Sequence, residues 1–285
     1  MVAISLLLAA TYLFRLEKID YAQFAKERRI DILNMIYRAQ SSHVGSCLSS
    51  IDIMSVLYNF ADLSIQPNGL TKDIVLIKSW NVANAYACLV AKGLLPKEAV
   101  IEYGKEGTQW KTILEPLPPY LPFGTGAMGY ILPAGVGFAL AKKVRGDEGK
   151  VYCIISDAEM QIGATWEAAI IAAQHKLNNL ILIVDWNGFG AMGRLKDSSN
   201  VEPLGAKWEA FNWNVSRING HHYGDIERAL MGEPFVEGHK QSMPRVIIAR
   251  TTKGKGVSFM ENNNLWHYAQ VKQDDYEKAL AELSL

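Results

Sequence analysis

The stretch Val151-Tyr152-Cys153-Ile154-Ile155-Ser156-Asp157-Ala158-Glu159-Met160-Gln161-Ile162-Gly163 decides the fold class. Five apolar residues run without a break into a polar turn, and Ala164 to His175 then follows with helical composition. A second apolar run, Leu180 to Val184, ends in Asp185-Trp186-Asn187-Gly188, and Val215 to Ile218 and Val246 to Ala249 are also strand-like. Strands that alternate with helices predict a parallel sheet flanked by helices on both sides. The expected fold class is α/β. In such sheets ligands bind beyond the carboxyl ends of the strands, which places the candidate chemistry in the turns after Ile155 and Val184.

Upstream, Tyr21 to Ala39 sets Phe24, Ile32, Met35 and Ile36 at helical spacing with charges between them, an amphipathic helix. A Ser-rich turn over 41–46 follows, and Ser50 or Asp52 is expected to open a second helix through Asn59. A third helix is expected from about Asn81 to Lys92, with Gly93 as its C-cap. Four prolines between Pro116 and Pro122 forbid helix or central strand there, so 102–123 reads as a long loop. Gly129 to Lys143 reads as a small-residue helix, and Trp208 to Phe211 as part of a further one. Residues 20–285 are read as a single domain. Met1 to Phe14 is almost wholly apolar, but the first positive side chain is Arg15, after the run, and the run is short of the ~20 residues a membrane span needs. It is expected to form an extra apolar N-terminal helix over 1–19, lying on the protein or on a partner.

The 285 residues are 49% hydrophobic and 20% charged, which is enough for a packed core. Lys plus Arg equal Asp plus Glu at 29 each, so no overall basic field exists to gather nucleic acid or an anionic membrane. Cys47, Cys88 and Cys153 are odd in number and far apart, neither a disulfide framework nor a zinc spacing. They read as reduced, buried thiols of a cytoplasmic protein.

Asp157 and Asn187 lie thirty residues apart, each at the end of a predicted strand. Two such oxygen donors on neighbouring strands suit one hard cation, Mg²⁺, with room left for diphosphate oxygens and water. Each alone has a plainer explanation, a helix cap for Asp157 and a turn for Asn187.

The pair and its surroundings resemble the thiamine diphosphate enzymes, whose Gly-Asp-Gly motif is followed about thirty residues later by Asn, and among them the transketolase family. Ser42-His43-Val44-Gly45-Ser46-Cys47-Leu48-Ser49 is similar to the family's opening Gly-His-Pro-Gly-Gly-Ser-Leu-Ser segment. Gly124-Thr125-Gly126-Ala127-Met128-Gly129 is similar to its Ser-Thr-Gly loop, and Trp166-Glu167-Ala168-Ala169 to the helix after the motif. Thr252-Lys253-Gly254-Lys255-Gly256, followed by Trp266-His267, resembles the end of the family's first domain.

The resemblance implies a thiamine diphosphate-binding fold and a chain holding only the diphosphate-binding part of a split transketolase. A C-terminal transketolase-like subunit would supply the pyrimidine-binding domain in an α₂β₂ assembly. It implies Mg²⁺ held by Asp157, Asn187 and the main-chain carbonyl of Phe189, and diphosphate near the N–H groups of Ala158 and Glu159. Gly126 and Met128 would sit against thiamine diphosphate, and His43 and His267 would face the substrate as hydrogen-bond donors or proton carriers. The implied activity is transfer of a two-carbon ketol unit from a ketose or ketose phosphate to an aldehyde. The alternatives are transfer to a lipoyl or carrier-protein thiol, acyloin formation, and a non-catalytic stabilising or regulatory subunit. Departures from the pattern are Ser156 and Ala158 for the motif's glycines, Ile162 for a glutamate, Asn81 for a histidine and Ile131 for a glycine. No histidine stands among Pro118, Pro119, Tyr120 and Leu121.

Overall fold

The sheet strands are β1 (Ile74–Ile77), β2 (Val151–Ser156), β3 (Leu180–Trp186), β6 (Asn214–Asn219) and β7 (Arg245–Arg250), and a small antiparallel hairpin, β4 (Phe189–Gly190) and β5 (Gly193–Arg194), follows β3. The five sheet strands are all parallel, in the order β1-β2-β3-β7-β6. The computed structural model describes residues 19–232 and 240–285. The expected apolar helix over 1–19 therefore lies, apart from Ile19, outside the described residues. No described helix is long and apolar enough to cross a membrane.

Helices cover both faces, as the continuous apolar strands require. Tyr152, Ile154, Ile181, Ile183 and Ile247 face one core, shared with α1 (Tyr21–Ala39), α2 (Val44–Phe60) and α3 (Val82–Ala91). Their neighbours Cys153, Ile155, Leu182, Val184 and Ile248 face the other core. After the short α4 (Glu98–Ile101), that second face is covered by α5 (Ile131–Arg145), α6 (Gly163–Gln174) and, beyond the four-residue α7 (Leu195–Ser198), α8 (Leu204–Ala210). The strand period of two thus divides one sheet between two cores. Further helices α9 (Tyr223–Met231) and α10 (Gln273–Ser284) complete the first face.

One element departs from its expected start. α2 begins at Val44, well before Ser50, and every residue from Val44 to Tyr58 is buried. Its serines do not cap or break it; Ser50 Oγ donates to the Ser46 carbonyl one turn back at 3.3 Å, a bond available inside a helix. All three cysteines are free and buried.

Candidate active site

Sheet register sets the site. Ser156 pairs with Asp185 and Asp185 with Ala249, while Ile77 pairs with Ile154, so the chain leaves β1, β2, β3 and β7 at one level. Lys78, Asp157, Asn187 and Thr251 follow those ends and gather at one edge.

Asp157 is fully buried. Its Oδ2 accepts the Gly188 N–H at 2.6 Å, and its Oδ1 has no partner. Burial, and then the charge of Asp185, raise its pKa to about 7 against the help of the Gly188 N–H and Lys78. A buried, unpartnered carboxylate oxygen is costly in an isolated fold and fits a cation ligand. Asn187 stands beside it, its Oδ1 accepting the Phe189 N–H at 3.0 Å and its Nδ2 donating to Ser49 Oγ at 3.2 Å. The amide oxygen is thereby turned toward Phe189, and it keeps a second lone pair. Among the described residues no three His, Cys, Asp or Glu side chains form a metal cluster. The Asp157 carboxylate and the Asn187 amide bring two oxygen donors to this edge, the ligand type that a hard cation prefers.

Asp185 was not among the expected site residues, yet it is the hub. Its carboxylate accepts from Ser49 Oγ at 2.7 and 2.6 Å, from Lys78 Nζ at 2.7 Å and from Thr251 Oγ1 at 2.5 Å. Burial alone would raise its pKa, but the Lys78 ammonium and these hydrogen bonds outweigh burial and hold it low. The ionised hub ties α2, β1, β3 and the end of β7 together behind Asn187. The available signal was a charged residue closing an otherwise apolar buried strand.

Ala158 and Glu159 lie in a 3₁₀ turn, Asp157–Gln161, while the long helix α6 starts only at Gly163. Ser156 and Glu159 form a capping box across this turn. Glu159 is buried; Oε2 accepts the Ser156 N–H at 2.9 Å and Oε1 the Gly129 N–H at 3.1 Å. Its side chain is a brace joining the Asp157–Gln161 turn to the Gly126–Met128 loop. Met128 and Gly126 are exposed on that loop, and the Gly126 carbonyl accepts the Trp80 indole N–H at 3.3 Å.

Trp80 in turn stacks on His43, with ring centroids 4.6 Å apart. His43 caps α2 in the left-handed region at φ 74° and meets His267 edge-on at 4.8 Å; its N–H also donates to the His267 carbonyl at 2.9 Å. The two expected substrate-facing histidines are therefore together. Burial, followed by the Lys253 charge, lowers His43 to about 4 and His267 to about 3. Both rings are neutral at pH 7, so they act there as hydrogen-bonding groups and not as resident cations.

Lys253 sets the state of His267. Its buried ammonium donates to His267 Nδ1 at 2.8 Å and to Asn264 Oδ1 at 2.9 Å. Since an ammonium has no acceptor, Nδ1 is the unprotonated nitrogen and Nε2 carries the proton. The segment bearing Lys253 is held from behind: the Thr252 N–H donates to His221 Nε2 at 2.8 Å, and His221 Nδ1 faces Asp52 at 2.8 Å. Asp52 also binds Arg29 at 2.6 Å and Tyr223 at 2.9 Å. Asn81, where the resemblance expects a histidine, is 1% exposed; its amide donates to the Ser46 carbonyl and Ser50 Oγ, both at 2.9 Å, and does not face an open site.

The family model of the transketolase thiamine diphosphate-binding domain matches residues 21–284. The chain belongs to the transketolase family. It is 32% identical to a subunit of apulose-4-phosphate transketolase from Phocaeicola vulgatus, over 91% of this chain and 92% of that relative. It is 36% identical to the protein of the same name from Actinobacillus succinogenes, over 91% and 93%. A 6-deoxy-6-sulfo-D-fructose transketolase subunit from a Clostridium strain is 31% identical over 94% and 97%. Among solved structures, transketolase from Campylobacter jejuni superposes with a TM-score of 0.82 at 28% identity, over 92% of this chain but 43% of that one. Rat transketolase likewise matches 91% of this transketolase-family chain with 41% of its own length. The chain thus spans about two fifths of such longer transketolases.

Proposed function

We propose that this chain is the diphosphate-binding half of a two-subunit, cytoplasmic transketolase that moves a two-carbon ketol unit from an anionic ketose to an aldehyde. The observation that carries the reading is the buried, unpartnered Asp157 Oδ1 beside Asn187 at the strand ends. Residues 20–285 act as one diphosphate-binding domain. Asp157, Asn187 and the Phe189 carbonyl hold Mg²⁺, and the Ala158 and Glu159 main chain faces the diphosphate that Mg²⁺ neutralises. When bound, thiamine diphosphate supplies the nucleophile and the electron sink for breaking the donor's carbon–carbon bond.

The chain's own residues position and polarise. Gly126 and Met128 border the cofactor from the exposed loop. Neutral His267, its proton held on Nε2 by Lys253, donates to a substrate oxygen, and neutral His43 binds beside it. The second chain, of the C-terminal transketolase type, brings the pyrimidine-binding domain, and two copies of each make an α₂β₂ particle. End-to-end matches with relatives that are themselves named as transketolase subunits support a separate partner chain. The relatives' names, a ketose phosphate and a sulfo-ketose, support an anionic sugar donor.

Calorimetric titration of the copurified pair tests the reading. Thiamine diphosphate is expected to bind only with Mg²⁺ and to lose binding in Asp157→Ala. A ketose donor with an aldose acceptor should then turn over. Failure of the intact pair to bind the cofactor would leave a non-catalytic role for this chain, and turnover only with thiol acceptors would move the acceptor to a carrier protein.

A further inference from the structure

A cleft of about 260 Å³ opens next to the candidate metal turn, lined in part by Trp186, Asn187, Phe189, Arg194, Lys196 and Arg250. Two of its cations are placed by sheet register. Arg250 pairs with Trp186 across β7 and β3, and its guanidinium lies 4.9 Å from the Trp186 ring centroid. Arg194 pairs with Phe189 across the β4–β5 hairpin, and its guanidinium lies 5.3 Å from the Phe189 centroid. Directly paired residues project to the same side, which is why each guanidinium finds a ring. A guanidinium held over a ring by cation–π attraction still keeps N–H donors for an acceptor.

Among the described residues Arg194, Lys196 and Arg250 form no salt bridge, so no described carboxylate takes those donors. The cleft's one acidic lining residue, Glu202, turns an oxygen to the Leu204 N–H at 2.6 Å. Three cations against one carboxylate, with two guanidinium groups pre-oriented on rings, match the planar two-oxygen edge of a phosphoryl group. The volume is sufficient for the phosphoryl end of a small phosphorylated molecule.

We propose that this cleft is an anion subsite that takes the phosphoryl group of a small phosphorylated molecule, separate from the diphosphate position at Asp157. The group is either the far end of a sugar phosphate substrate or a separate effector; the chemistry recognised is the same. Asn187 and Phe189 line both places, so an occupied cleft braces the turn from which two of the proposed Mg²⁺ ligands come.

The first test does not depend on the proposed function. Inorganic phosphate is titrated into the full-length chain by calorimetry at low ionic strength, without Mg²⁺ or thiamine diphosphate. Saturable binding is expected, weakened at least tenfold in Arg194→Gln/Arg250→Gln and unchanged in Asp157→Asn, with thermal melts confirming that each variant folds. Glutamine keeps the length of a polar side chain and removes the charge and the fork. Absence of saturable binding, equal binding by the double variant, or loss in Asp157→Asn overturns the proposal. With the active pair, a KM rise in the double variant confined to a phosphorylated donor assigns the substrate's tail. Phosphate effects on an unphosphorylated donor that the double variant abolishes assign an effector. Failure of the pair to bind thiamine diphosphate would count against the proposed function alone.

Discussion

Replacing Asp157 by asparagine separates what the carboxylate costs the fold from what it does. The side chain is fully buried, Oδ2 accepts the Gly188 N–H and Oδ1 accepts nothing. Burial, and then the Asp185 charge, move its pKa from 3.8 to about 7. A carboxylate raised on folding binds more protons folded than unfolded, so its stability is present below the unfolded pKa and is lost as pH rises through the folded one. At ~1.4 kcal/mol per pH unit, the interval from 3.8 to about 7 costs the metal-free protein ~4 kcal/mol at about pH 8. Asparagine has no charge to desolvate, but with its oxygen on Gly188 its Nδ2 is left unpaired, which returns ~1–2 kcal/mol. Metal-free Asp157→Asn is therefore expected to be about 2 kcal/mol more stable than wild type at about pH 8, with the gain vanishing near pH 5. Urea unfolding in chelator, followed by circular dichroism across that range, measures it. Addition of Mg²⁺ and thiamine diphosphate should raise the wild-type midpoint and leave the variant unmoved. A variant less stable at pH 8, or a gain equal at both ends of the range, would refute the argument that the site stores an unpaired charge.

Lys253→Met removes the donor to His267 Nδ1 and the charge that helps lower that ring. The His267 pKa should climb toward its ordinary value in a proton NMR titration, and kcat/KM of the pair should fall ~10–100-fold, as for loss of a group that orients a catalytic one. Asp52→Ala strands Arg29, 8% exposed, without its carboxylate and frees His221 from behind Thr252. Denaturant unfolding should show a loss of ~3–5 kcal/mol, the range for breaking a buried pair. Asn81→His restores the residue type of the family pattern, yet the buried amide sits between Ser46 and Ser50 where a larger ring must displace α2. A destabilisation of ~1–3 kcal/mol is expected, without gain of activity; a more active variant would show that the position faces substrate.

How far the fold could be read followed from burial. β2, β3 and the helix between them announced themselves because each strand is apolar on both faces. β1, Ile74-Val75-Leu76-Ile77, is equally apolar but was not read as a strand, although the four-residue runs Val215 to Ile218 and Val246 to Ala249 were. α2 was mis-started because a helix buried on all sides has no polar face, and its serines look like a turn while they bond within the helix and to Asn81. At the site, Asp157, Asn187, His43 and His267 were legible as residue types at strand ends or in a matching segment. Asp185, Lys78 and Lys253 were not, since their roles are pairings across strands that only the register creates. Sequence spacing can place donors at an edge; it cannot show which donors satisfy one another and which one is left over.

The departures from the family pattern make sense together once that remainder is known. Ser156 takes the capping position, and its N–H is held by Glu159. Ala158 belongs to the second core with Leu195 and Val184, so the methyl that replaces a glycine hydrogen is buried in apolar surroundings. Ile162 packs against Gly129, where an added Cβ would lie 2.3 Å from its Cγ2, so the glycine's φ of +85° and the isoleucine are matched. A glutamate at 162 would put a charge into that contact, and Glu159 already supplies the one acid that joins the turn to the Gly129 loop. The buried side-chain polar atoms of the turn other than Asp157 Oδ1 are satisfied internally. The one left without a partner is the one that the proposed metal requires, and the substitutions around it leave that oxygen in place.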